Sequence, residues 1–171
     1  MKRNLLLVAA AIACSYFSTA QPCGSGNIWL GLTNDWFAPS NWCTGAIPGA
    51  TIDVNIPAGT PNQPVIGSPG AVCHSINISN GASLTINGSN IFSVSGDWTN
   101  SGTLIANNST VSFTANTAVT QTITGNTRFH NISKPNASST LSFGSSTTTI
   151  GNNLSIAAGT MSGGILPFAK D

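Results

Sequence analysis

A period of two in the apolar residues constrains this chain more than any other feature. From residue 75 onward, short runs place apolar side chains two positions apart, as in Leu84/Ile86 and Val111/Phe113, with Ser, Thr or Asn between them. The later predicted runs include 120–124, 140–143, 147–150 and 153–156. This alternation is typical of β-strands that bury one face. Asn-Gly, Gly-Ser and Asn-Asn pairs between the runs favour tight turns. The sequence therefore predicts an all-β protein.

Internal repetition favours a solenoid over a β-sandwich, although both contain short strands at this spacing. The segments GDWTNSGTL (96–104) and GNNLSIAAGTM (151–161) share a layout, and their Gly-Thr-apolar endings lie 57 residues apart. That distance fits about three coils of roughly 19 to 20 residues each. Ser, Thr and Asn side chains can also hydrogen-bond from one coil to the next. We therefore expect stacked parallel coils, with a β-sandwich as the alternative.

The first 20 residues have the features of a secretory signal. Lys2 and Arg3 precede an apolar segment, and residues 18–20 provide the small side chains of a cleavage site. The apolar segment is too short for a permanent membrane span. We expect a secreted or cell-surface protein with signal peptide 1–20. In the alternative interpretation, Cys14 belongs to a lipoprotein motif and carries a lipid.

Charge excludes two classes of partner. Cleavage would leave three basic residues, Arg128, Lys134 and Lys170, against four aspartates, for a net charge of about −1. Nucleic acids and anionic membrane surfaces require clustered Lys and Arg. We therefore expect neither of them as a partner, and no transmembrane span in the mature chain.

Three cysteines, Cys23, Cys43 and Cys73, follow the signal. An oxidising exterior favours one disulfide among them. We expect the pair Cys43–Cys73, because Cys23 lies in a Gly- and Ser-rich lead-in, residues 21–27, that is predicted to be flexible. The wide spacing of the cysteines does not form a zinc motif. No metal or cofactor is expected.

The sequence offers few groups for catalysis. Glycoside hydrolysis needs two converging carboxylates, whereas Asp35, Asp53 and Asp97 fall in different predicted coils. His74 and His130 have no neighbouring acid in the sequence, and no Gly-x-Ser-x-Gly motif is present. We therefore expect a protein without catalytic residues.

The segment DWFAPSNWC (35–43) has two interpretations. Exposed Trp rings could stack on a glycan, or the rings could close the apolar end of the first coil, where free strand edges would otherwise promote aggregation. We expect a structural cap, with glycan contact as the alternative. The residues concerned are Trp29, Asp35, Trp36, Asn41 and Trp42.

Several motifs resemble large secreted surface proteins of Bacteroidetes-type bacteria. The first contains Trp29, Gly31, Asp35, Trp36, Asn41, Trp42 and Cys43, and further matching segments are 47–49, 53–57, 64–66, Cys73 and 76–86. A downstream unit matches at Val111, Phe113, Gln121, Ile123, Gly125, Phe129, Asn131 and Ile132. The resemblance covers nearly all of residues 28–162, and it departs at Asp35, which lies one residue closer to Gly31 than is usual.

This resemblance implies a right-handed parallel β-helix of pectin-lyase-like architecture, used as an exported and often adhesin-like scaffold. Such proteins are usually longer and end in a sorting domain, so we expect either a solenoid truncated at its C-terminus or a short secreted relative. The predicted organisation is signal peptide 1–20, lead-in 21–27, cap and first coils 28–72, and solenoid repeats 73–168. We expect a non-catalytic scaffold that contacts glycans or other surface proteins. A carbohydrate-active module that binds or cleaves a polysaccharide is the alternative.

Overall fold

The computed structural model describes residues 23–24, 26–144 and 147–163. The predicted signal peptide and Cys14 lie outside this part of the chain. The strands are β1 Asn27–Ile28, β2 Val54–Ile56, β3 Val65–Ile66, β4 Ala71–Cys73, β5 Ile76–Ile78, β6 Ser83–Ile86, β7 Ile91–Val94, β8 Trp98–Asn100, β9 Thr103–Ile105, β10 Thr110–Phe113, β11 Thr120–Thr124, β12 Thr127–Lys134, β13 Thr140–Phe143, β14 Thr148–Ile156 and β15 Thr160–Ser162. The described residues contain a single short helix, the 3-10 helix Pro39–Asn41.

The strands form three parallel sheets, and successive strands along the chain belong to different sheets. Sheet 1 has the order β1-β2-β5-β8-β11-β13-β15, sheet 2 the order β4-β7-β10-β12-β14, and sheet 3 the order β3-β6-β9. Each strand pairs with the strand one coil away, and all pairs between strands are parallel. The predicted all-β solenoid is therefore confirmed.

Period-two alternation puts equivalent apolar side chains in ladders inside the coil. On sheet 1, the register stacks Val54, Ile76, Trp98, Ile123 and Phe143 on successive strands. All five side chains are buried. A coil cannot bury this face alone, so each one depends on its neighbours for its core.

Some coils have the predicted repeat of roughly 19 to 20 residues, and others are longer. Hydrogen bonds between equivalent positions span 22 residues from Ser75 to Asp97, 25 residues from Asp97 to Thr122, and 20 residues from Thr140 to Thr160. The Gly-Thr alignment used to predict the repeat is wrong, because Thr103 lies in sheet 3 and Thr160 in sheet 1. The two Gly-Thr pairs start strands on different faces of the solenoid.

Sheet 3 ends after β9, and the cross-section changes there. The long strand β12 contacts β9 and also pairs with β10, so it covers two faces. Its pairing with β14 shifts register between Phe129 and Asn131. A bulge of this kind bends a strand. The early coils, which begin at β2, β5 and β8, therefore have three strands each, whereas the later coils, which begin at β11 and β13, have two, the second of them long.

Candidate functional site

The three Trp side chains near the N-terminus lie inside the protein. Trp29, Trp36 and Trp42 have exposed fractions of 0%, 0% and 1%. Trp42 makes edge contacts with both others, at centroid distances of 5.0 Å to Trp29 and 4.7 Å to Trp36. Trp36 also packs on Phe92 of β7 at 5.2 Å. We call the three residues the tryptophan cap, and their rings are not available to stack on a sugar.

Polar groups fix the loop that carries the tryptophan cap. Buried Asn41 accepts a hydrogen bond from Thr33 N at 2.7 Å and donates to the carbonyl oxygen of Asp35 at 2.7 Å. The Asp35 carboxylate accepts from Phe37 N at 2.9 Å. Asp35 also forms a parallel bridge to Val65 of β3. The loop therefore covers the free edge of sheet 3, which a solenoid must protect.

The disulfide joins Cys23 to Cys43, with a Cα–Cα distance of 5.6 Å. The predicted pair Cys43–Cys73 is therefore wrong. Cys73 lies opposite Val94 in sheet 2 and points into the core as a buried free thiol. Burial raises the pKa of this thiol, and the charge of Asp53 raises it further. Cys43 instead lies beside β1, where its backbone N–H donates to Ile28 O at 2.9 Å, within reach of the lead-in.

A groove of about 520 Å³ follows the outer face of sheet 1 across β1, β2, β5 and β8. Two columns of outward side chains border it, one residue per coil. The first column is Asp53, Ser75 and Asp97, and the second is Asn55, Asn77 and Thr99. Cys23 and Gly24 of the lead-in line one end of the groove. The disulfide joins this end to Cys43, which directly follows Trp42 of the tryptophan cap.

Each member of the first column accepts a hydrogen bond from the backbone of the next coil. Ser75 N donates to Asp53 Oδ1 at 3.1 Å, Asp97 N donates to Ser75 Oγ at 3.1 Å, and Thr122 N donates to Asp97 Oδ1 at 2.7 Å. These bonds satisfy the N–H groups of Ser75 and Asp97, which directly precede β5 and β8, and of Thr122 within β11. The first structural role of both carboxylates is therefore to hold the coils in register.

The second column supplies amides and a hydroxyl. Asn77 Nδ2 donates to Asn55 Oδ1 at 3.0 Å, which links two coils on the outer surface. Asn77 is exposed, and Asn55 and Thr99 are half-buried. Amide and hydroxyl groups both donate and accept hydrogen bonds. The groove can therefore bind a ligand that offers both hydrogen-bond donors and hydrogen-bond acceptors.

Asp53 has a second partner at the rim of the groove. His74 Nδ1 lies 2.7 Å from Asp53 Oδ1, and the two side chains are about half exposed, at 48% and 54%. Burial alone raises the pKa of the Asp53 carboxyl, but the hydrogen bonds of His74 and Ser75 and the charge of His74 outweigh it. The net pKa of Asp53 lies below its ordinary value. A general acid for glycoside cleavage needs the opposite shift, so Asp53 is suited to binding as an anion.

The remaining residues considered in the sequence lie elsewhere. Arg128 and His130 line a smaller cleft of about 150 Å³, beside Asn107. Lys134 is fully buried, donating from Nζ to Asn136 O at 3.0 Å and to the Ser139 hydroxyl. The part of the chain that the structure describes brings together no group of three His, Cys, Asp or Glu side chains that could hold a metal ion. It also includes no helix long and apolar enough to cross a membrane.

Sequence reasoning missed the groove because it aligned the wrong repeat. The signal is the recurrence of DVNI (53–56), SINI (75–78) and DWTN (97–100) at intervals of 22 residues. Within each unit the first and third residues point outward and the second points inward. An alignment on these units would have placed both columns on one face.

Fold and site together define a β-solenoid with an aromatic cap at its N-terminal end and a polar groove on one face. The family described as Domain of unknown function (DUF8693) matches residues 28–170. The match covers most of the chain, and the chain belongs to this family. No curated protein and no solved structure matches the chain. Function must therefore be inferred from the geometry.

Proposed function

We propose that this chain is a non-catalytic scaffold of the cell exterior, adhesin-like in that its polar outer faces contact other surfaces. The observation that carries the proposal is the use of the groove carboxylates, Asp53 and Asp97, as acceptors for backbone N–H groups of the next coil. Carboxylates held in this way are suited to binding. The lowered pKa of Asp53 supports the same interpretation.

An extracellular location is supported by two independent features. The first 20 residues have the pattern of a secretory signal. The Cys23–Cys43 disulfide is of the kind that forms and persists in oxidising compartments. The resemblance to secreted bacterial surface proteins agrees with both features.

Export is tested by expressing the full chain in a bacterial host and determining the N-terminus of the product by mass spectrometry. We expect a mature chain beginning at Gln21 outside the cytoplasm, and a Leu6→Arg variant with a broken apolar segment should stay inside. A Cys14→Ser variant distinguishes the lipoprotein alternative, because only a lipidated product would lose membrane association. An uncleaved cytoplasmic product would contradict the proposal.

Polysaccharide binding is a second candidate function, favoured by the groove itself. Side chains that donate and side chains that accept hydrogen bonds line the groove. It continues over several coils, as the binding of an extended polymer requires. The buried Trp rings do not contribute. Affinity electrophoresis in gels containing soluble polysaccharides tests this function, and unchanged mobility in every gel would rule it out.

A further inference from the structure

The chemistry of the groove selects among glycans. We propose that the groove binds a glycan chain that carries amino groups, laid along the solenoid axis across β1, β2, β5 and β8. This inference rests on the polysaccharide-binding function proposed above and names its ligand class. It draws on the charge of the groove, the pattern of its polar groups and its length.

Charge is the first argument. Among the described residues, the groove is lined by two carboxylates, Asp53 and Asp97, and by no Lys or Arg, with His74 at its rim beside Asp53. His74 Nδ1 and Ser75 N contact Oδ1 of Asp53, and Thr122 N donates to Oδ1 of Asp97; both aspartates are exposed, so a ligand can reach their carboxylates. Carboxylate oxygens form their strongest hydrogen bonds with cationic donors such as ammonium groups. Electrostatic complementarity of this kind selects partners, and it disfavours polymers of uronic acids.

The pattern of polar groups favours a glycan over a basic peptide. Between the carboxylates lie the Ser75 hydroxyl, the Asn77 amide and the Thr99 hydroxyl, which can each donate and accept, as sugar hydroxyls do. The floor strands β2 and β5 are paired with a neighbouring strand on both sides. Their backbone is therefore closed to an added peptide strand, which would need a free edge.

Length is the third argument. Adjacent parallel strands lie about 4.8 Å apart, so the four strands under the groove span about 14 Å, and Asp53 lies about 10 Å from Asp97. The two carboxylates can therefore contact different sugar units of one chain. Ile28, half-buried in the same outward row as Asn55, offers an apolar contact at one end. A short oligosaccharide fits this length along the axis.

The test is isothermal titration of the mature protein with an oligomer of glucosamine. The comparison ligands are the fully N-acetylated oligomer, an oligogalacturonate and oligolysine of similar length. We expect the glucosamine oligomer to bind most tightly and its binding to weaken as salt is raised, since salt screens exposed charges. Equal or tighter binding of the uronate or of oligolysine would overturn the inference.

Two variants test the site itself. Asp97→Asn and Asp53→Asn keep an oxygen that can accept the backbone hydrogen bond and remove only the charge. Each should weaken glucosamine binding about two- to fivefold, in the range of a single exposed charge contact. Asp35→Asn is the matched control, because Asp35 lies in the cap loop and also accepts a backbone hydrogen bond. Equal effects of all three variants would refute the site.

The outcomes separate this inference from the functions on which it rests. Tight binding of the N-acetylated oligomer alone would overturn the amino-group requirement and leave polysaccharide binding in place. No binding of any glycan would overturn both of them, while export of the protein would still support the scaffold. Thermal unfolding of each variant verifies that the fold is retained.

Discussion

The early and late coils of this solenoid fill their interiors differently. In the early coils, the tryptophan cap and apolar ladders occupy the space between the sheets, and Trp36 packs on Phe92. In the later coils, buried polar side chains share the interior, among them Gln121, Lys134 and Ser139. Apolar ladders continue through both regions, and the later coils add these buried polar groups.

Buried polar groups of the later coils lie at the corner between sheets 2 and 1. Gln121 donates to Val94 O at 3.0 Å and to Gly96 O at 2.8 Å, and it accepts from Ala115 N at 3.1 Å. Ser139 donates to Ala115 O at 2.9 Å and accepts from Lys134. These groups all lie where the chain turns from sheet 2 to sheet 1, and buried backbone groups at that corner need partners. The comparison indicates that apolar burial stabilises both regions and that hydrogen-bonded corners contribute more in the later coils.

The largest expected effect is in the tryptophan cap. Trp42→Ala should lower the free energy of unfolding by about 3–5 kcal/mol, because it removes a buried ring and leaves a cavity. Chemical denaturation measures this change. Leu32→Ala, at a side chain that is 63% exposed, is the control and should change stability by less than about 0.5 kcal/mol. Similar effects of both substitutions would contradict a buried cap.

The disulfide is expected to matter next. A double Cys23→Ser, Cys43→Ser variant should lose about 3 kcal/mol, since the bond closes a loop with a sequence separation of 20. Peptide mapping without reductant provides the control, and it should recover Cys23 linked to Cys43 with Cys73 as a free thiol. Recovery of a Cys43–Cys73 peptide would refute the pairing.

Gln121→Ala tests the corners of the later coils. It should cost about 2 kcal/mol, because three backbone groups lose their buried partner. Gln63→Ala is the comparison, since Gln63 also accepts a backbone hydrogen bond, from Ser83 N at 2.8 Å, but is only half-buried. The Gln63 variant should lose less stability than the Gln121 variant. The reverse order would contradict the distinction between the two regions.

The smallest expected effect concerns Lys134, whose pKa is lowered by burial from 10.5. The folded protein binds this proton less tightly than the unfolded chain does. Stability should therefore rise as pH increases from below the folded pKa toward 10.5. Lys134→Met should remove this rise and change stability at neutral pH by about 1 kcal/mol or less. Denaturation of both proteins from pH 7 to 10 measures the difference, and parallel curves would contradict it.

Much of the strand pattern could be predicted from the sequence, because period two is a local signal. The predicted runs 120–124 and 140–143 coincide with β11 and β13. The runs 147–150 and 153–156 proved to be parts of one strand, β14, bent next to β12. Their separation in the sequence reflects the bulge, which depends on pairing and not on local preference.

The site could be predicted only in part. Burial of Trp29, Trp36 and Trp42 follows from the need to close an apolar coil end, and the sequence already favoured it. The disulfide could not be derived, because which cysteine faces Cys43 depends on the path of the lead-in beside β1. The groove was missed because outward polar residues carry no hydrophobic signal, and only the correct repeat aligns Asp53 with Asp97.

The most direct test of the central claim is the environment of the four Trp side chains. All of them, including Trp98, are at most 1% exposed, so intrinsic fluorescence reports on the interior alone. We expect blue-shifted emission that iodide does not quench and that bound oligosaccharide does not change, with full quenching after unfolding. Red-shifted emission that iodide quenches in the folded protein would show exposed rings, and it would contradict the capped solenoid and its separate polar groove.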